Sequence, residues 1–115
     1  MIRTRGLSSI ELPVDDVDEA IRFYADVFGF EVTVRRPGGA SMQSPGGGGT
    51  VVLTGAAGPI TPTRFGLELT DPDDLDPALR LAVSAGGRVV ERRSVATGGA
   101  VAVVADPFGH LVTLA

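Results

Sequence analysis

The chain reads as one unit written twice, and that duplication constrains its fold more than any other feature. In the first copy Ile10, Leu12 and Val14 alternate with Ser9, Glu11 and Pro13, the period of a strand with one buried face. Asp16 follows as a helix N-cap, and Glu19 three residues on completes a capping box. Val17, Ala20, Ile21, Tyr24 and Phe28 then fall on one helical stripe, which Phe23 and Val27 widen. Gly29 stands just past the helix end, where left-handed backbone is favoured. In the second copy Leu67 and Leu69 alternate with Gly66 and Glu68, and Asp74 takes the capping place of Asp16. Pro77 lies in the first turn, where a missing N–H costs little. Leu75, Ala78, Leu79 and Ala82 repeat the stripe, Gly87 repeats Gly29, and Val90 repeats Val32. On this alignment one residue has been gained between Thr70 and Asp74, and Glu11 and Glu68 are equivalent positions.

Each helix is followed by three strand-like segments, residues 30–36, 40–44 and 50–54 in the first copy and 88–92, 100–105 and 110–114 in the second. Gly and Pro punctuate them all. Each copy is thus strand–helix–strand–strand–strand. The first module covers about 7–55 and the second about 63–115, with a linker at about 55–62, in a single domain of residues 1–115. Neither copy is long enough to bury a core alone, so the helices are expected to cover one face of a common sheet and leave the other curved and open.

With 43% hydrophobic and 21% charged residues the chain is globular rather than disordered. Cysteine is absent, which excludes a disulfide framework, a thiolate metal site and a cysteine nucleophile. No apolar run reaches membrane-spanning length and no signal-peptide pattern opens the chain, so a cytoplasmic protein without a membrane partner is expected. A net charge of −4 argues against nucleic acid as a partner.

The stretches Ile10-Glu11-Leu12-Pro13-Val14-Asp15-Asp16, Ala20-Ile21-Arg22-Phe23-Tyr24 with Phe28-Gly29-Phe30, and Asp106-Pro107-Phe108-Gly109-His110 resemble the vicinal oxygen chelate superfamily. That superfamily includes glyoxalase I, extradiol dioxygenases, fosfomycin-resistance enzymes and bleomycin-binding proteins. The resemblance covers nearly the whole chain. It implies an α+β fold of two tandem βαβββ modules forming an incomplete curved barrel, and a homodimer. It does not by itself settle function.

Metal-dependent members of the superfamily carry one His, Glu or Gln on each of four strands, leaving open positions for two neighbouring substrate oxygens. Transferred by the resemblance, those positions are Ser9, Val52 (or its immediate neighbourhood), Gly66 (Phe65 if the register slips by one) and Thr113, which make no ligand set. The only histidine, His110, falls in or just after a turn and is expected to be a surface or hydrogen-bonded residue rather than a ligand. Glu11 and Glu68 point by strand parity away from the helices. They are exposed or paired with arginines such as Arg64 or Arg35, or else recognise a cation, hold a metal in a non-standard way, or act as general acid and base.

Gly46-Gly47-Gly48-Gly49 leads into a strand rather than a helix, so it reads as a flexible hairpin loop beside a pocket and not as a phosphate cradle. Arg35-Arg36 and Arg92-Arg93 sit at related strand ends, as solvated charge or anion contacts. Phe108 packs on a partner chain, closes a pocket or makes a local contact. No Gly-x-Ser-x-Gly elbow is present, which speaks against a hydrolytic triad.

These readings converge on a glyoxalase-like protein without the usual metal and without another cofactor. It would bind a small organic molecule in its concave cavity through Ser9, Glu11, Val52, Gly66, Glu68 and Thr113. Two other functions fit the same residues: a lyase, isomerase or dioxygenase with an unorthodox site at Glu11 and Glu68, and a dimeric interaction or regulatory module.

Overall fold

Strand β1 (Ser9–Val14) runs up to Asp16, whose side chain accepts a hydrogen bond from Glu19 N at 3.0 Å and starts helix α1 (Val17–Phe28). Gly29 ends that helix with a φ of 69°, a left-handed turn that costs glycine little. Strands β2 (Glu31–Arg36), β3 (Gly39–Gln43) and β4 (Thr50–Gly55) complete the first module. The second contains β5 (Arg64–Leu67), a single 3-10 turn (Pro72–Asp74), α2 (Leu75–Ser84), β6 (Arg88–Ser94), β7 (Ala100–Ala105) and β8 (Leu111–Leu114). This is a computed structural model and it describes residues 1–115. The two sheets have the same order, β1-β4-β3-β2 and β5-β8-β7-β6, with the first pair of each parallel and the others antiparallel. Even the bulges match, between Val32 and Val34 in one sheet and between Val89 and Glu91 in the other. Both sheets are open, as the α+β two-module reading expected, but they are two separate sheets and not the common sheet expected from the sequence. No helix is long and apolar enough to cross a membrane.

The register corrects the sequence alignment in four places, one of them at the bulge, where Val89 and not Val90 is the counterpart of Val32. Thr50 N donates to Ser8 O, and Leu111 N donates to Thr63 O. Ser9 therefore corresponds to Arg64, Glu11 to Gly66, and Val14 to Leu69. Glu68 is the counterpart of Pro13, so Glu11 and Glu68 are not equivalent positions. The slip arises because the second module inserts the three-residue 3-10 turn, not one residue. Asp71, not Asp74, does the work of Asp16: its side chain accepts from Asp73 N at 2.9 Å. Asp74 has helical backbone and makes no side-chain cap. Finally, Gly86 (φ 98°) supplies the left-handed turn after α2. Gly87 is glycine for another reason, since a Cβ there would lie 2.6 Å from Ala105 O and 3.0 Å from the Phe23 ring.

The strand-end arginines have a shared structural role. Arg35 donates to Asp18 at 2.8 Å and Arg92 donates to Asp76 at 2.8 Å, the same strand-to-helix ion pair in each module. The hydrogen bond from Arg92 holds the Asp76 carboxyl below its ordinary range. Arg35 is thereby engaged away from Glu11, which instead accepts a hydrogen bond from Thr54 Oγ1 at 3.1 Å.

A single core serves both modules. Leu12, Val14, Met42, Val51 and Leu53 of the first pack in one cluster with Leu79, Ala82, Val104, Val112 and Leu114 of the second. Tyr24 and Phe23 of α1 carry the first module's aromatic surface across the boundary, toward Phe65 (ring centroids 6.5 Å apart) and Gly87. The molecule is a plate of 44 × 42 × 25 Å, and every residue of β2 and β6 is exposed.

Candidate functional site

The seam between the modules is filled at one end and hollow at the other. The filled end is built by the turn from Asp106 to His110. Asp106 is buried, and its carboxylate takes three donors: Tyr24 Oη at 2.7 Å, and the backbone N–H groups of Phe108 and His110 at 2.9 Å each. Burial first, and then the Asp106 carboxylate, push the Tyr24 hydroxyl well above its ordinary range, so it stays protonated and donating. His110 is fully buried. Its Nδ1 accepts from Thr63 N at 2.9 Å, and its Nε2 lies 2.6 Å from Pro13 O. An amide N–H only donates and a carbonyl only accepts, so the ring is neutral with its proton on Nε2. His110 is hydrogen-bonded, as the sequence allowed, but it lies inside the protein and ties the linker and β8 to β1. Phe108 is partly buried against the same core.

The hollow end is a cavity of about 760 Å³. Helix α1 and the residues after it contribute Val27, Phe28 and Phe30, and helix α2 contributes Pro77, Ala78 and Leu81. Phe65 to Thr70 form another wall, and the Gly46–Gly49 loop borders the space with backbone alone. The volume suits a small organic molecule, and mostly apolar walls with a few polar groups are the usual make-up of such a site. Glu68 and Asp74 are the only charged side chains in the lining, and neither takes part in an ion pair or a side-chain hydrogen bond.

The cavity gathers half of the residues singled out from the sequence. Ser9, Gly66 and Glu68 line it. Glu11 and Val52 lie side by side on β1 and β4, and Thr113 lies beside Gly66 on β8, all outside that lining. Three of the six therefore border this hollow. Strand parity identifies the face a side chain joins, but it carries no information about where two modules part. Phe28, Phe30, Asp74 and Leu81 line the cavity and were not among the candidates read from the sequence. Leu81 offered a signal, because it sits off the buried stripe of α2 and is 47% exposed.

A sequence profile described as Glyoxalase/Bleomycin resistance protein/Dioxygenase superfamily matches residues 6–114. No curated protein matches the chain. Among solved structures the fold is similar to a glyoxalase-related enzyme from Fulvimarina pelagi, with a TM-score of 0.80 and 22% identity over 96% of this chain and 87% of that one. It is also similar to a lactoylglutathione lyase from Agrobacterium tumefaciens (TM-score 0.77, 21% identity, 96% and 92% covered). TioX from Micromonospora sp. ML1 is a third such structure (TM-score 0.74, 24% identity, 95% and 96% covered).

Proposed function

Since the chain belongs to the glyoxalase/bleomycin resistance protein/dioxygenase superfamily, we propose that it is a metal-free member that binds a small organic molecule between its two modules. The observation that carries this reading is the seam cavity, which is open, apolar-walled and of ligand size. The chemistry of the family's ligand positions supports the metal-free part. Ser9, Val52, Gly66 and Thr113, or Arg64 where the register replaces Gly66, offer neither imidazole nor carboxylate, so these residues do not fit a divalent metal. His110 supplies no substitute, because both ring nitrogens are engaged inside the fold. Glu11 is held by Thr54, and Glu68 belongs to the cavity, which favours binding over a two-carboxylate acid–base site.

The binding form is a homodimer. A monomer of 11.8 kDa ordinarily exposes about 5,900 Å², whereas this chain exposes 7120 Å². The excess is of the order that one partner's share of a stable interface would cover, and the exposed β2 and β6 strands offer a surface for it.

Metal analysis of protein purified without added metal, together with sedimentation equilibrium, tests the proposal. Less than a tenth of an equivalent of zinc, nickel, manganese or iron and a two-chain mass are expected. Stoichiometric metal would overturn the metal-free assignment, and a one-chain mass the dimer.

A further inference from the structure

The two ends of the seam are counterparts in the duplicated fold, and comparing them shows why one is hollow. The turn from Asp106 to His110 connects β7 to β8; its counterpart connects β3 to β4 and reads Ser44-Pro45-Gly46-Gly47-Gly48-Gly49. The residue immediately before β8 is His110, which fills the seam and reaches Pro13. The residue immediately before β4 is Gly49, which has no side chain to do the same. The hollow is thus the place where the first module lacks the second module's plug. Gly49 does not need to be glycine: its φ is not left-handed, and a Cβ there would meet only ordinary contacts, the nearest being Ser8 O at 3.6 Å. Backbone geometry does not explain the missing plug.

From this we infer, building on the small-molecule role proposed above, that the seam cavity takes an apolar molecule carrying a protonated amine. Phe28, Phe30, Phe65, Leu69 and Ala78 give the apolar body its surface. The charge preference follows from the lining, whose only charged groups are Glu68 and Asp74, with no arginine among them. Asp74 sits at the amino end of α2, where the partial positive charge of the helix offsets part of its own. Glu68 therefore supplies the larger share of the attraction. An anion of the same shape meets two carboxylates and no compensating base.

Benzylammonium, benzyl alcohol and benzoate share a ring and differ in charge. Each is titrated at low salt into the uniformly nitrogen-15-labelled full chain, and amide shifts of Gly46 to Gly49 and of Glu68 to Thr70 are followed by NMR. Benzylammonium is expected to bind about tenfold more tightly than the alcohol, the scale of one partly screened ion contact, and benzoate not to bind. Raising the salt narrows that gap. In the double variant Glu68→Gln, Asp74→Asn the gap closes while alcohol binding persists; Asp74 makes no cap bond, so the exchange leaves α2 intact. Gly49→Leu restores a plug and is expected to abolish binding of benzylammonium and benzyl alcohol in a chain whose remaining spectrum is unchanged. Equal binding of ammonium and alcohol would overturn the charge preference and leave the cavity as a binding site. No shift at these amides with any probe would overturn both.

Discussion

Tyr24 can be examined alone by alkali. Between about pH 9 and pH 12 the side chains that ordinarily change charge are those of cysteine, tyrosine and lysine. This chain has one tyrosine, no cysteine, and only arginine among its ten basic residues. In the unfolded chain the phenol ionises near its ordinary value of 10.0, whereas in the native protein burial and the Asp106 carboxylate keep it protonated far above that. Above pH 10 the unfolded state therefore binds fewer protons than the folded one. The Tyr24 contribution to stability is constant below that pH and falls as the pH rises beyond it, by about 1.4 kcal/mol per pH unit. The integrated loss at about pH 11.5 is about 2 kcal/mol, a sizeable part of the stability of a domain this small. Urea denaturation at a series of pH values, with the tyrosinate absorbance band read in parallel, measures both halves of the linkage. The hydroxyl appears as tyrosinate only as the chain unfolds. In Tyr24→Phe the alkaline loss disappears, and neutral-pH stability drops by about 1.5–3 kcal/mol because Asp106 loses a charge-assisted donor. Tyrosinate forming near pH 10 in a chain that stays folded would refute this reasoning, as would an unchanged alkaline slope in the Phe variant.

Three further outcomes are expected from the same urea denaturation assay. His110→Ala leaves Thr63 N–H and Pro13 C=O without their buried partner and opens a void, at a cost of about 3–5 kcal/mol. Gly87→Ala drives a methyl against Ala105 O and the Phe23 ring and costs about 1–3 kcal/mol, whereas Gly66→Ala, whose nearest neighbour is Thr113 O at 3.8 Å, changes stability by less than about 0.5 kcal/mol. Asp16→Ala removes a cap and costs about 1 kcal/mol, while Asp74→Ala, with no cap bond to lose, stays within about 0.5 kcal/mol of the parent.

The parts of the fold that local pattern governs were legible in the sequence. Strand alternation in Ser9–Val14, the Asp16 cap and the α1 stripe are decided by neighbours a few residues apart, and each forms as read. The errors fall where distant chain decides. Capping chemistry allowed Asp71 or Asp74, and only the 3-10 turn selects between them. Gly86 and Gly87 are adjacent, and only the approach of Phe23 from the other module explains why both are glycine. His110 looked peripheral because its partners, Pro13 and Thr63, come from β1 and the linker. The cavity was illegible for the same reason, since it is the space two modules leave between them. The tetraglycine run did mark its border, although as a loop and not as the absence of a plug.

The hydrogen bond from Tyr24 to Asp106 has a consequence for how the protein is made. Its two ends are 82 positions apart, so on a ribosome the hydroxyl waits for its acceptor until β7 has been translated. Until then the aromatic cluster of Phe23, Tyr24, Phe28 and Phe30 lacks the surface that the second module brings to it. A message truncated just before Asp106 would yield a product with every element but β8 and an exposed, adhesive interior. Closing that cluster takes residues of both modules.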